Sequence, residues 1–110
     1  MHDLKETERW QAEKSSEARS AACRAYATLV ARFKTTADLD RYVVQPLAHE
    51  QAVLVTDRNY KTDYLFSADG SAHAYHAGTR DEKSIAPTAM EIEAIVGEVE
   101  ELAKSGKREA

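Results

Sequence analysis

The sequence contains few of the residues that cross-link or interrupt a chain. Its 110 residues include one cysteine, Cys23, two prolines and four glycines. A lone cysteine excludes a disulfide within the chain, which fits a reducing compartment such as the cytoplasm. Scarce glycine and proline are typical of a folded protein. We therefore expect one small domain over residues 1–110, with frayed termini at about 1–5 and 105–110.

Long apolar runs and an excess of basic charge are also missing. No stretch approaches the roughly 20 apolar residues of a membrane-spanning helix. Residues 1–10 alternate charges of both signs and lack the apolar segment of a secretory signal. The 19 acidic residues outnumber the 15 basic ones, so the average charge repels nucleic acid. We expect no association with a membrane.

Motifs that mark common catalytic and metal sites do not occur. The sequence has no glycine-rich phosphate loop, no GxSxG or HExxH motif and no paired CxxC. His73 and His76 stand three residues apart in a predicted strand, where they point to opposite faces and cannot easily share one metal ion. Cys23 stands among alanines, where a small packing residue is the ordinary interpretation. The sequence predicts no catalytic residue, no metal and no cofactor.

Helical patterns occur at both ends of the chain. Residues 3–33 contain neither glycine nor proline and are rich in alanine, which predicts one long N-terminal helix that packs through its second half. Thr88 and Glu91 form a capping box before a regular apolar stripe. That pattern predicts an amphipathic C-terminal helix from Ala89 to Lys104, packed on a sheet.

The middle of the chain predicts a short helix and three strands. Thr36 can cap a second helix from Ala37 to about Gln45, which Pro46 would end. An Asp-Gly pair marks a tight hairpin turn between the last two strands. The three predicted strands are Ala52 to Thr56, Tyr64 to Ser67 and Ser71 to Ala77. The expected fold is α+β, a three-stranded antiparallel meander covered on one side by the long first helix and the C-terminal helix.

Several side chains are candidates for contact with a partner. They are Trp10, Arg19, Arg24, Arg32, Tyr64, His73, Tyr75 and His76. Trp10 stands in a highly charged half-helix, where it either packs on the domain or awaits a partner. No acidic residue occurs from Arg19 to Lys34, so that half of the helix is basic. The tyrosines and histidines belong to the predicted hairpin.

The leading interpretation is a non-enzymatic protein-binding module, an inhibitor or an adaptor. In size, acidity and element order the chain is similar to small inhibitors carried by phages and mobile elements, including anti-CRISPR and toxin-immunity proteins, and this similarity implies a protein partner. A homodimer through the first helix or an open sheet edge is a further expectation.

Two alternatives stay open at the level of sequence. The first is a small nucleic-acid-associated regulator that uses the basic half of the first helix. The second is a small enzyme or ligand-binding domain with a pocket at the tyrosine and histidine hairpin.

Overall fold

The computed structural model describes residues 3–76 and 84–107, and the side chains of residues 16–76 and 84–105. Within these residues the chain forms two α-helices and five strands. They are α1 (Asp3–Arg32), β1 (Ala37–Asp38), β2 (Tyr42–Leu47), β3 (Ala52–Asp57), β4 (Thr62–Ser67), β5 (Ala72–His76) and α2 (Ala89–Lys107). A short 3-10 helix, Ala48–Glu50, connects β2 to β3. The fold is α+β, as the sequence predicts.

The strands form a single antiparallel meander in the order β1-β2-β3-β4-β5. The turn between β4 and β5 requires its glycine, because Gly70 has a φ of 92° and a Cβ there would collide with the side chain of Arg19. In the same turn Asp69 accepts a hydrogen bond from the backbone N–H of Ser71 at 2.9 Å. That hydrogen bond holds the pKa of Asp69 below its ordinary value.

The prediction of a second helix over residues 37–45 is wrong. This segment is the β1–β2 hairpin, and the sheet has five strands where the sequence predicts three. Tyr42 and Val44 pair with β3 and are buried on the core side, which a strand allows because alternate residues share a face. Pro46 fits in β2 because β1 covers only Val43 and Val44, so that the proline lies on an open edge.

The two long helices are confirmed, and so is the capping box. The backbone N–H of Glu91 donates to Thr88 Oγ1 at 3.2 Å, and the N–H of Thr88 donates to Glu91 Oε1 at 3.0 Å. These reciprocal hydrogen bonds satisfy donors that the first turn of a helix leaves unpaired. The three predicted strands correspond to β3, β4 and β5 with ends shifted by one or two residues, and position 77 lies outside the described residues.

Both helices pack on the same face of the sheet. The fully buried side chains between the helices and the sheet include Leu29, Tyr42, Val44, Val53, Val55, Phe66, Ile92 and Val99. The helices run parallel, since Glu17 and Ala89 line one hollow while Thr28 and Gly97 line another. Residues 3–16 of α1, about four turns, therefore extend beyond the N-terminal end of α2.

The other face of the sheet carries a smaller apolar cluster. Ala52, Leu54 and Leu65 are buried there, with Leu47 and Tyr75 packed against them. Strand alternation places this cluster on the side away from the helices. The sheet therefore separates a large core from a small one.

One edge of the sheet is short, and the other is partly covered. β1 has two residues, and at the other edge Ile85 forms an isolated bridge with Ala74, in which each N–H donates to the other's carbonyl at 2.7 and 2.9 Å. Short and partly covered edges give a partner strand little backbone to pair with. No helix among the described residues is long and apolar enough to cross a membrane.

Replacing Phe66 by alanine tests the large core. Phe66 is fully buried between the sheet and the helices, so Phe66→Ala should lower the free energy of unfolding by about 3–5 kcal/mol. The measurement is urea denaturation followed by circular dichroism. Met90→Ala is the control, because Met90 is 79% exposed and its loss should change stability by less than about 0.5 kcal/mol. Equal losses for the two variants would contradict this core assignment.

Candidate functional site

The tyrosines and histidines of the predicted hairpin do not form one pocket. Tyr64 and His76 lie on the helix-facing side of the sheet, whereas His73 and Tyr75 lie on the opposite side. The rings of His73 and Tyr75 are 6.0 Å apart, and His73 Nδ1 lies 3.2 Å from Ser84 Oγ. Because the sheet separates the two pairs, they cannot surround a common ligand.

The arginines of α1 do not form a continuous basic stripe. Arg19 and Arg24 are five residues apart, which turns a helix by about 140°. Arg24 Nη2 is 2.8 Å from Glu93 Oε2, and the charge of Arg19 helps to lower the pKa of Asp69. Arg32 is half-buried and its Nε has no hydrogen-bond partner. This arrangement gives the nucleic-acid alternative no support.

Trp10 lies in α1, within the part that precedes α2. Its side chain is outside those that the structure describes. The role of Trp10 in binding a partner therefore stays a prediction.

A charged network that sequence reasoning missed connects α2 to the sheet. The guanidinium of Arg41 lies 3.3 Å from Asp57 Oδ2 and 3.2 Å from Glu98 Oε2. It also stands over the rings of Tyr42 and Tyr60, at 4.9 and 5.6 Å from their centroids. The hydrogen bonds to Asp57 raise the pKa of Arg41. The network fixes the β1–β2 turn against the end of β3 and the middle of α2.

Both carboxylates of this network, Asp57 and Glu98, are held by hydrogen bonds. Asp57 is 3% exposed, and besides Arg41 it accepts a hydrogen bond from the backbone N–H of Asn59 at 3.0 Å. The Tyr42 hydroxyl donates to Glu98 Oε2 at 2.5 Å. Burial raises the pKa of Tyr42 well above its ordinary value, and the carboxylate of Glu98 adds to that effect. Tyr42 therefore remains a neutral donor that holds Glu98 in place.

A second ion pair, between Arg58 and Asp38, connects the two neighbouring turns. Arg58 Nη1 and Nη2 donate to the carboxylate of Asp38 at 2.8 and 3.0 Å, and Nη1 also donates to the carbonyl of Asp40 at 2.7 Å. The hydrogen bond from Arg58 lowers the pKa of Asp38. Arg58 therefore connects the β3–β4 turn to β1 and to the β1–β2 turn, next to Arg41.

Next to the Arg41 network, a groove of about 650 Å³ runs along the outer side of α2. We call it the α2 groove, and its lining residues are Arg41, Glu93, Ala94, Gly97, Glu98, Glu101 and Leu102. Small or apolar residues form its floor, and three glutamates border it. Two of the glutamates are held by arginines, Glu93 by Arg24 and Glu98 by Arg41. The groove is thus apolar in its centre and negative at its rim.

Gly97 is the unexpected residue of this groove. It lies in the interior of α2, where glycine costs about 1 kcal/mol relative to alanine. A Cβ at this position would meet no atom within 4 Å. The packing of the chain on itself therefore does not require a glycine here, and the missing side chain leaves the helix backbone accessible from outside.

The remaining candidates for chemistry do not form a cluster. Among the side chains that the structure describes, no group of three His, Cys, Asp or Glu residues is placed to hold a metal ion. The thiol of Cys23 lies 3.7 Å from the carbonyl oxygen of Ala68 and donates weakly to it.

Replacing Tyr42 by phenylalanine tests the network. Loss of the hydrogen bond to Glu98 should lower the free energy of unfolding by about 1 kcal/mol at neutral pH. Because folding raises the pKa of Tyr42, its stabilising effect is complete below about pH 10 and disappears as the pH rises through the folded value. Urea unfolding of Tyr42→Phe should therefore show a shallower loss of stability above pH 10.

The control for this variant is Tyr60→Phe, at a tyrosine that is 72% exposed. It keeps the aromatic ring over Arg41 and should change stability at neutral pH by less than about 0.5 kcal/mol. A Tyr42→Phe protein that loses stability above pH 10 as steeply as the parent would contradict the assigned role of the hydroxyl.

Replacing Gly97 by alanine tests whether the fold needs the glycine. Since a Cβ meets open space, Gly97→Ala should raise the free energy of unfolding by about 0.5–1 kcal/mol. The reverse change on the same helix side, Ala94→Gly, should lower it by a similar amount. Urea denaturation measures both, and a destabilised Gly97→Ala protein would show that α2 requires glycine for its own packing.

Comparison with known proteins adds no assignment to these observations. No protein-family model, no curated protein and no solved structure matches the chain at a significant level.

Proposed function

We propose that this protein is a non-enzymatic protein-binding module, an inhibitor or adaptor, whose contact surface is the α2 groove. The observation that carries the proposal is Gly97, a helix-interior glycine that the packing of the chain does not require. Its cost in helix stability is offset if a partner's backbone approaches α2 closely at this point. Ala94, the other small residue of the floor, extends the same flat surface.

The chemistry of the groove supports a particular kind of partner. An apolar floor accepts the apolar side of a helix, as in helix-in-groove recognition. Glu93, Glu98 and Glu101 at the rim are complementary to lysines and arginines that flank such a side. We therefore propose a partner protein that presents a basic amphipathic helix.

The rim is organised before the partner arrives. Glu93 is paired with Arg24, and Glu98 is held by both Arg41 and Tyr42. Side chains that are already ordered lose less conformational entropy on binding. The Arg41 network therefore supports binding by ordering Glu98 at the rim, without forming the floor of the groove.

The two alternatives receive less support. A nucleic acid would meet the negative rim of the groove, and the arginines of α1 do not lie on one side of the helix. A pocket between the hairpin tyrosines and histidines would need residues from both faces of the sheet. The inhibitory or adaptor role remains part of the proposal, on the similarity in size and acidity to small phage-borne inhibitors.

Replacing Gly97 by leucine tests the binding surface. A Cβ at position 97 meets no atom within 4 Å, so the protein should fold while the larger side chain occupies the groove. Affinity capture from the source cells should retain a protein on the parent chain that Gly97→Leu does not retain. Mass spectrometry identifies that protein, and cross-linking should place a helix rich in lysine and arginine on α2.

The matched control is His49→Leu. His49 is exposed in the connection between β2 and β3 and does not line the groove, so this variant adds the same side chain elsewhere. It should retain the same protein as the parent chain. Equal retention by Gly97→Leu, or a cross-linked segment that is acidic, would refute the assigned surface.

A further inference from the structure

We infer that the helix docked in the α2 groove is α1 of a second copy of this chain, so that two copies form a two-fold symmetric dimer through their helical layers. The inference rests on the proposed function of the groove and names its occupant. It is supported by the charge, the shape and the relative direction of the two helices.

The charges of α1 and of the groove are complementary. From Arg19 to Lys34 the chain carries no acidic residue, and Arg24 is exposed on the side of α1 that also carries Ser20, Ala27 and Ala31. The rim of the α2 groove carries Glu93, Glu98 and Glu101 against the single cation Arg41. The Arg24 and Glu93 side chains remain 62% and 59% exposed within their own ion pair. Each can therefore take a further partner of opposite charge from another copy.

The exposed surface of α1 also fits the floor of the groove. Ser20, Ala27 and Ala31 are exposed and stand at spacings of seven and four residues, which places them on one side of the helix. All three side chains are small. A helix with such a side can approach Ala94 and Gly97 closely, because neither surface holds the two backbones apart.

The parallel arrangement of the helices allows both grooves to be filled at once. α1 and α2 lie side by side in one layer and run in the same direction. A two-fold axis parallel to the helices then places α1 of each copy over α2 of the other. This interface is isologous and closed, so it produces a dimer and no larger polymer.

Sedimentation velocity of the full chain at about 1 and 100 µM tests the inference. The average mass of the parent chain should rise from that of one chain toward that of two chains as its concentration increases. This rise should be smaller at high salt, because salt screens the charge pairs. Gly97→Leu should keep its circular dichroism spectrum and melt no lower than a monomeric parent chain, but remain a monomer at 100 µM. Glu101→Lys should raise the dissociation constant by at least about tenfold.

His49→Leu is again the matched control and should dimerise like the parent. A parent chain that sediments as a monomer at both concentrations would overturn the inference, and so would a Gly97→Leu protein that dimerises as well as the parent. The proposed function is judged separately by affinity capture. A monomeric parent that retains a basic-helix protein only when Gly97 is present would overturn self-association and leave the binding function standing.

Discussion

Burial of the helix-facing side of the sheet is the interaction on which the other features of the structure depend. Val53, Val55 and Phe66 are fully excluded from water, and both helices must cover them from the same side. With no disulfide available to a chain that has one cysteine, this apolar contact is the main stabilising contribution visible in the structure. Because both helices cover the same face, α1 and α2 lie next to each other and expose their outer sides as one surface.

The Arg41 network depends on that packing and in turn organises the surface. Tyr42 is buried by α2, and only in that position does its hydroxyl reach Glu98. Arg41, the next residue along the turn, then lies between Asp57 of the sheet and Glu98 of the helix. The buried carboxylate of Asp57 is stable because it is hydrogen-bonded and paired with the charge of Arg41. The consequence at the surface is a glutamate rim whose position is set by the core.

The dependence of the glutamate rim on the core connects the stability of the fold with the proposed binding function. The residues that hold the rim contribute to folding, whereas Gly97 and Glu101 on the groove do not pack against the core. Binding and folding therefore place opposite demands on position 97, where alanine favours the helix and glycine favours a close partner.

Local features of the fold were predictable from the sequence. The long helix α1, the capping box of Thr88 and Glu91, and the Asp69-Gly70 turn all depend on residues within a few positions of one another. The β1–β2 hairpin was not predictable, because Leu39, Tyr42 and Val43 fit a helical spacing as well as a strand. Pairing with β3, which is distant in sequence, decides between the two.

In the candidate site, too, the arrangement depends on residues that are distant in the sequence. Arg41, Asp57 and Glu98 lie on three separate elements, and no spacing in the chain connects them. Gly97 is visible in the sequence, but whether a side chain there would meet the protein or open space depends on how α2 packs. The sequence by itself determined the two long helices, the Asp69-Gly70 turn and the net charge, because these follow from composition and short-range contacts. Only the tertiary structure decided the five-stranded sheet, the Arg41 network and the α2 groove, because each depends on residues brought together from distant parts of the chain.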